Sequence, residues 1–392
     1  TPMLRKAALV LMLVGLVVKG PVAAETIPLK VDFAGHSSSE VLPVAGGIPF
    51  KQGQVATTDS IRLRNKAGVE VPCQVTRLAV WPDGSVKWAL IDALIAPPQT
   101  ADLLLEFGAG VKREDIAAGL SAKTNENGVT ISGGGVDAQI LKTGGGVLDA
   151  FACNGTSIIK ADQPAKLVME LLRIPGGATA ESMPVNSFIC RDTNAVLERG
   201  KVVIDELLVE SPGPLRATVR LRGAILLKHF GETLPDEVKK LEPAGRMPFS
   251  MRFSFFKGLP MVCAQHQIVF SGEPDCDFIS HWGIELPGCA GTRGMLVLEP
   301  GAEIQKAGGT ETVLEAPTRL CWAPLKNGFA LIRQGWQNRP CGIQQTADGS
   351  AAINFWPREA GPWDLRRYAR EWAVGESGDT RDPKSIERDI DI

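Results

Sequence analysis

Gln74-Val75-Thr76-Arg77-Leu78-Ala79-Val80-Trp81-Pro82-Asp83-Gly84-Ser85-Val86-Lys87-Trp88-Ala89-Leu90-Ile91 reads as two strands meeting at a tight turn. Pro, Asp, Gly and Ser occupy four consecutive positions, each favouring reversal for its own backbone or hydrogen-bonding reason, and apolar, β-branched runs flank them. Just upstream, Ile61-Arg62-Leu63-Arg64 alternates, Asn65-Lys66-Ala67-Gly68 turns and Val69-Glu70-Val71 resumes, a second hairpin signature. About 80 residues of such hairpins, from Ile27 to Phe107, suit a small barrel.

Beyond this region, residues 97–124 are more polar and irregular, which places a domain boundary near residue 115. Strands return at 129–131 and 136–141, closed by glycine clusters at 133–135 and 144–146, and long ones follow at 201–209, 215–227, 251–256, 261–270, 294–298, 329–333 and 351–355. So many strands without intervening helices must pack sheet on sheet to bury their apolar faces, which predicts a large antiparallel sandwich. A composition of 42 Gly and 27 Pro agrees, since helix interiors tolerate neither. One short helix is expected at 232–241, and helix formers reappear only at 363–372.

The N-terminus carries Arg5 and Lys6 before an apolar run, Ala7 to Val18, of about 12 residues, too short to span a bilayer. Val22, Ala23 and Ala24 supply the small side chains of a cleavage site, so residues 1–24 are expected to be a signal peptide removed before Glu25. An uncleaved anchor is the alternative, opposed by Lys19, Gly20 and Pro21. The expected location is periplasmic or secreted, with no stable membrane insertion after cleavage. A net charge of −2, from 42 Lys+Arg against 44 Asp+Glu, argues against nucleic acid as a partner.

Eight cysteines and four histidines show no C-x-x-C spacing, so no metal site is expected. Cys276 with Cys289, and Cys321 with Cys341, are the pairs close enough in sequence to suggest disulfides. No G-x-S-x-G, H-E-x-x-H, P-loop or dinucleotide fingerprint occurs.

Pro43-Val44-Ala45-Gly46-Gly47-Ile48-Pro49-Phe50, Val71-Pro72-Cys73-Gln74 and the block Trp81 to Trp88 resemble the N-terminal RIFT-related barrel of the YetA-like and exo-rhamnogalacturonan lyase family. Glu210-Ser211-Pro212-Gly213-Pro214-Leu215-Arg216-Ala217, and Phe355-Trp356-Pro357 through Asp364-Leu365-Arg366, resemble that family's central sandwich and the exit from it. The expected fold class is therefore all-β: a RIFT-related barrel at 25–115, then a supersandwich-like antiparallel β-sandwich at 116–360. The resemblance implies a protein acting on acidic pectic polysaccharide by β-elimination. It also implies that 361–392 is a linker or the start of a C-terminal helical domain, much of the catalytic cleft lying beyond it. A non-catalytic carbohydrate-binding or scaffold module and a two-carboxylate glycoside hydrolase, drawing on Glu206, Glu210, Asp275 or Glu285, are the alternatives.

Candidate site residues follow from chemistry. Arg216, Arg220 and Arg222 share one face of a strictly alternating strand, where guanidiniums can neutralise a uronate carboxylate and make the C5 proton removable. The competing reading is a solvated face paired with acids of the next strand. His281 beside Trp282, near Asp275 and Asp277, offers a general base, a stacking ring and an acidic pair, against the reading of an ordinary sandwich loop. No cofactor is expected, although those two acids leave calcium open without a specific motif. Tyr368, near Arg366, Arg367 and Arg370, is a second candidate base. Trp81 and Trp88 either stack on sugar or pack the barrel. His266 shares strand parity with Val262, Ala264 and Ile268 and reads as a core histidine.

Overall fold

A computed structural model of the chain describes residues 24–31, 41–96, 102–179, 181–183, 190–232, 236, 240, 245–291, 296–298, 303–306, 309–312, 319–334, 341–345 and 348–363. Residues 1–23 of the expected signal peptide, most of the expected helix at 232–241 and everything after 363 lie outside the described residues. Every strand pair among the described residues is antiparallel, and within the expected helix at 232–241 Asp236 is helical, its carbonyl accepting from the Lys240 amide at 3.1 Å. The chain divides into two compact units, 1–116 and 117–392.

In the first unit, a four-stranded sheet runs in the order Glu25–Lys30, Asp102–Phe107, Ile61–Asn65, Glu70–Val71, and a three-stranded sheet in the order Leu42–Pro49, Val86–Ile95, Cys73–Val80. Alternation puts Ile61, Leu63, Leu105 and Phe107 from one sheet against Ala89, Ile91 and Ala93 from the other, and Phe50 meets Phe107 edge to face at 5.1 Å. The closing strand Asp102–Phe107 emerges within the stretch read as irregular, because its Leu103-Leu104-Leu105 run lacks clean alternation. The Pro82–Ser85 turn forms as expected: Gly84 N–H donates to Trp81 O, and Asp83 Oδ1 accepts from the Ser85 amide and hydroxyl at 3.0 and 2.6 Å. Those bonds hold the Asp83 carboxyl below its usual range.

The second unit is the sandwich. One wall is the four-stranded sheet Lys201–Pro212, Arg216–Leu226, Arg246–Phe256, Val262–Ile268. Facing it are two five-stranded sheets. One runs Thr156–Ile159, Ala150–Cys153, Val136–Leu141, Gly128–Gly133, Ser121–Thr124; the other runs Val196–Arg199, Lys166–Arg173, Asp277–Leu286, Ala351–Trp356, Gly342–Gln345. Val219, Leu221, Met251 and Phe253 from the wall join Met169, Leu171, Ile284 and Ala351, and Ile131 and Ile140, in a single apolar core. Gly223 sits where any Cβ would collide with the Val203 carbonyl and the Phe249 ring, so close strand approach requires glycine.

All eight cysteines are thiols in the structure. The pairing of Cys276 with Cys289 is corrected: the ten-residue strand Asp277–Leu286 lies between them and, at about 3.3 Å per residue, holds them roughly 30 Å apart. That strand is also a correction to the loop reading of 275–282. It lies in the middle of its sheet and is buried on both faces, which erases the alternation that marks a half-exposed strand.

Candidate functional site

The arginine strand presents the face expected of it. Ala217, Val219 and Leu221 enter the core, while Arg216, Thr218, Arg220 and Arg222 point outward. Register then decides what each meets. Arg220 lies opposite Leu208 and Arg252, Arg222 opposite Glu206 and Ser250, and Thr218 opposite Ser211 and Ser254, whose hydroxyl is 3.0 Å from its own. Gln265 and Gln267 continue the rows of Arg252 and Ser250 onto the edge strand.

Two carboxylates of the neighbouring strand lace these guanidiniums together. Glu210 is 3.2 Å from Arg220 and accepts from Arg252 Nε at 2.8 Å, whereas Glu206 stands 3.9 Å from Arg220 and 3.7 Å from Arg222. Of the two readings of this face, the one pairing it with acids of the next strand is what forms at Arg220 and Arg222, a ladder of alternating charge. A β-bulge between Ile204 and Glu206 sets this register, turning the acids onto the arginine face. Arg222 is the most exposed of the paired members, its side chain 58% accessible, and at 3.7 Å its contact with Glu206 is an ion pair without a hydrogen bond. Beside it a shallow groove of about 350 Å³ is lined by Asp205, Arg222, Arg246, Ser250 and Gln267. Arg246 donates to Asp205 at 2.9 Å. Guanidinium, amide and hydroxyl groups thus converge on one concavity, the donor set that recognises a carboxylate or vicinal hydroxyls.

His281 occupies the other side of the sandwich, on the outer face of the sheet that carries Asp277–Leu286. Its Nε2 donates to Asn354 Oδ1 at 2.9 Å, and Asn354 Nδ2 donates to Gln344 Oε1 at 3.2 Å. Opposite His281 in the register, Glu170 accepts a bidentate pair from Arg358, at 2.8 and 2.6 Å. With Nε2 donating, the buried Nδ1 keeps its lone pair and has no hydrogen-bond partner among the described residues. Burial lowers the His281 pKa, against the opposing pull of the Asn354 hydrogen bond, so the imidazole is neutral at pH 7. Arg358 holds the Glu170 carboxyl below its ordinary range. The cluster is a neutral base beside a fixed anion, but His281 is only 2% exposed.

Trp282 follows the opposite parity and does not join His281. Its ring packs into the core, and Nε1 donates to His266 Nδ1 at 2.8 Å, which corrects its assignment as an exposed stacking ring. His266 is the core histidine expected, 5.0 Å from the Trp282 ring and 5.8 Å from Phe249. Asp277 is also spoken for. Wholly buried, it accepts from Arg173 Nη1 at 2.7 Å and from the amides of Gly231 and Glu273 at 3.0 and 2.8 Å. Among the described residues, no group of three His, Cys, Asp or Glu is arranged to hold a metal ion.

In the first unit Trp81 donates to Phe50 O at 3.0 Å and carries the Lys87 ammonium 4.6 Å from its ring centroid, so it is half-buried at the turn. Trp88 is 41% exposed over Gly47, outside the buried core. Tyr368 lies outside the described residues. Sequence motifs alone miss Glu170, Asn354 and Arg358. The first two do leave a signal, as single polar residues inside Leu167-Val168-Met169-Glu170-Leu171-Leu172 and Ala351-Ala352-Ile353-Asn354-Phe355.

Comparison with known proteins gives two family matches. Residues 29–103 match the PcRGLX-like N-terminal RIFT barrel domain, and residues 120–288 match the PcRGLX-like protein central beta sandwich domain. The Bacillus subtilis (strain 168) protein YetA, itself uncharacterized, is 24% identical over 245 residues, 62% of this chain and 25% of that protein. The match thus spans a quarter of that relative's length. Two solved structures from Enterococcus faecalis overlap the chain loosely. A protein in glycosyl hydrolase family 38 gives a TM-score of 0.45 at 12% identity, covering 89% of this chain and 46% of its own. An alpha-mannosidase of strain V583 gives 0.42 at 13%, covering 87% and 41%.

Proposed function

The chain belongs to the PcRGLX-like protein family through its barrel and its central sandwich, and from that premise we propose that it is the substrate-holding part of an exported carbohydrate-active protein acting on acidic pectic polysaccharide. The observation that carries this reading is the groove beside the ladder, where Arg222, Arg246, Ser250 and Gln267 converge. A uronate carboxylate fits it because exposed ion pairs such as Arg222 with Glu206 are worth only about 0–1 kcal/mol, so exchanging one carboxylate for another costs little. Guanidinium contact withdraws charge from the carboxylate and acidifies C5, the first requirement of β-elimination. Proton removal from C5 and departure of the C4 oxygen are reactions of the whole protein in this reading. Export is supported by Arg5, Lys6 and the apolar run that follows them.

A binding role without turnover in these residues is favoured by one further observation. The guanidinium face and His281 lie on opposite outer faces of the sandwich, with the apolar core between them, so they cannot act on the same sugar. Catalysis needs groups that favour the transition state over the ground state, and a carboxylate clamp alone holds both about equally.

The test is calorimetry of the chain from Glu25 with galacturonan and rhamnogalacturonan oligosaccharides, alongside ultraviolet detection of unsaturated uronate. Weak binding is expected, falling about 5- to 100-fold in Arg222→Ala if one charge-assisted contact is lost, with no unsaturated product. Absence of binding, or binding indifferent to Arg222 and Arg246, refutes the site. Robust unsaturated product refutes the separation of holding from chemistry.

A further inference from the structure

Cys321 lies in Arg319–Leu325, the middle strand of a three-stranded sheet, and Cys341 immediately precedes Gly342–Gln345, the edge strand of a five-stranded sheet. Their sulfurs are 2.9 Å apart. Both residues are buried, in a small cluster with Ala323, Ala330, Ile332 and Ile343. Two of those four side chains are single methyl groups, so this cluster buries little apolar area for a junction between sheets. Polar links are also present there: Cys341 O lies 3.6 Å from the Cys321 sulfur, and Gln345 donates to Pro324 O at 2.8 Å and accepts from the Gly291 amide at 2.9 Å.

We propose that Cys321 and Cys341 form a disulfide that staples the three-stranded sheet to the five-stranded sheet. Sequence spacing suggests this pair and one other, and the geometry separates them: one pair shares a site while the other is held apart by a strand. The oxidant is a disulfide, either of a thiol oxidoreductase or of a small thiol such as glutathione. One cysteine thiolate attacks it, breaking its S–S bond and releasing one thiolate. The second cysteine thiolate then attacks the protein-side sulfur of the mixed disulfide, forming the Cys321–Cys341 bond and releasing the other thiolate. Two protons leave the protein, and the oxidant ends as two thiols. Burial of both sulfurs places this exchange during folding, before the cluster closes. The staple does not depend on the carbohydrate reading.

The experiment refolds the reduced full chain in a buffer of oxidised and reduced glutathione, alkylates remaining thiols under denaturing conditions and maps the non-reduced peptides by mass spectrometry. The expected result is a linked peptide pair carrying Cys321 and Cys341, with the other six cysteines alkylated. The oxidised protein should melt about 5–10 °C above the reduced one, the scale for closing a loop of this length, and Cys341→Ser should abolish that difference. Alkylation or glutathionylation of both cysteines in the folded protein, or a link to any other cysteine, overturns the proposal. If the serine variant does not fold, the wild-type peptide map decides alone.

Discussion

His266 should make the sandwich acid-sensitive well above the carboxylate range. Its Nδ1 already accepts from Trp282 Nε1, so a proton added there would set two donors face to face inside a cage of Phe249, Trp282 and Phe355. Burial lowers its pKa from 6.5 to about 3. In the unfolded chain the imidazole regains its ordinary value, so below about pH 6.5 the unfolded state binds more protons. The stabilisation is full above that value and declines as pH falls, levelling only below about 3. The slope approaches about 1.4 kcal/mol per pH unit, giving a loss of about 3 kcal/mol by pH 4 from this residue. His281, shifted the same way by burial, adds to the same limb. In His266→Gln, the amide oxygen can accept from Trp282 but does not titrate. Urea unfolding of both proteins from pH 7.5 to 4 should give curves that converge with acid, because the wild type loses its about 3 kcal/mol and the variant does not. Parallel curves would refute the assignment of a neutral, proton-refusing imidazole at this position.

Arg173→Ala should cost about 3–5 kcal/mol in urea unfolding, because it leaves the wholly buried Asp277 carboxylate without its counter-charge; a loss below about 1 kcal/mol would count against the pair. Glu170→Gln should flatten the acid limb below pH 4.5, since a carboxyl held below its ordinary value by Arg358 stabilises the fold above that pH and loses the contribution as pH falls. Matching acid limbs in wild type and variant would contradict it. Trp88→Ala, at an exposed ring outside the barrel core, should change stability by less than about 1 kcal/mol, and calorimetry with oligosaccharide then reports whether the ring serves as a stacking platform.

The hairpins were legible because their information is local. Pro82 to Ser85 contains its own turn chemistry, and Leu215 to Gly223 alternates cleanly enough to assign inside and outside residue by residue. What eluded the sequence depends on partners. Pairing of the arginine face with acids of the next strand is open to the sequence, but which acids face it is decided by the bulge after Ile204, a register that no pattern within either strand reveals. The strand Asp277–Leu286 looked like a loop because both of its faces are covered, so Phe278, His281, Trp282 and Ile284 carry no period-2 signature. For the same reason His281 and Trp282 looked like one site, although adjacent residues on a strand must part to opposite faces. Arg358 reaches Glu170 across 188 positions, a distance at which only the closed fold supplies the connection.

The Asp277 carboxylate also governs how this part of the sandwich breathes. Gly231 and Glu273 lie outside the strands, in segments whose amide protons would ordinarily exchange through small local openings. Both amides instead donate to an acid that is sealed from solvent, begins the central strand and is tied to the neighbouring strand by Arg173. Releasing either N–H withdraws a bond from a buried charge, so the Gly231 and Glu273 amides should exchange on the slow clock of the sheet rather than ahead of it.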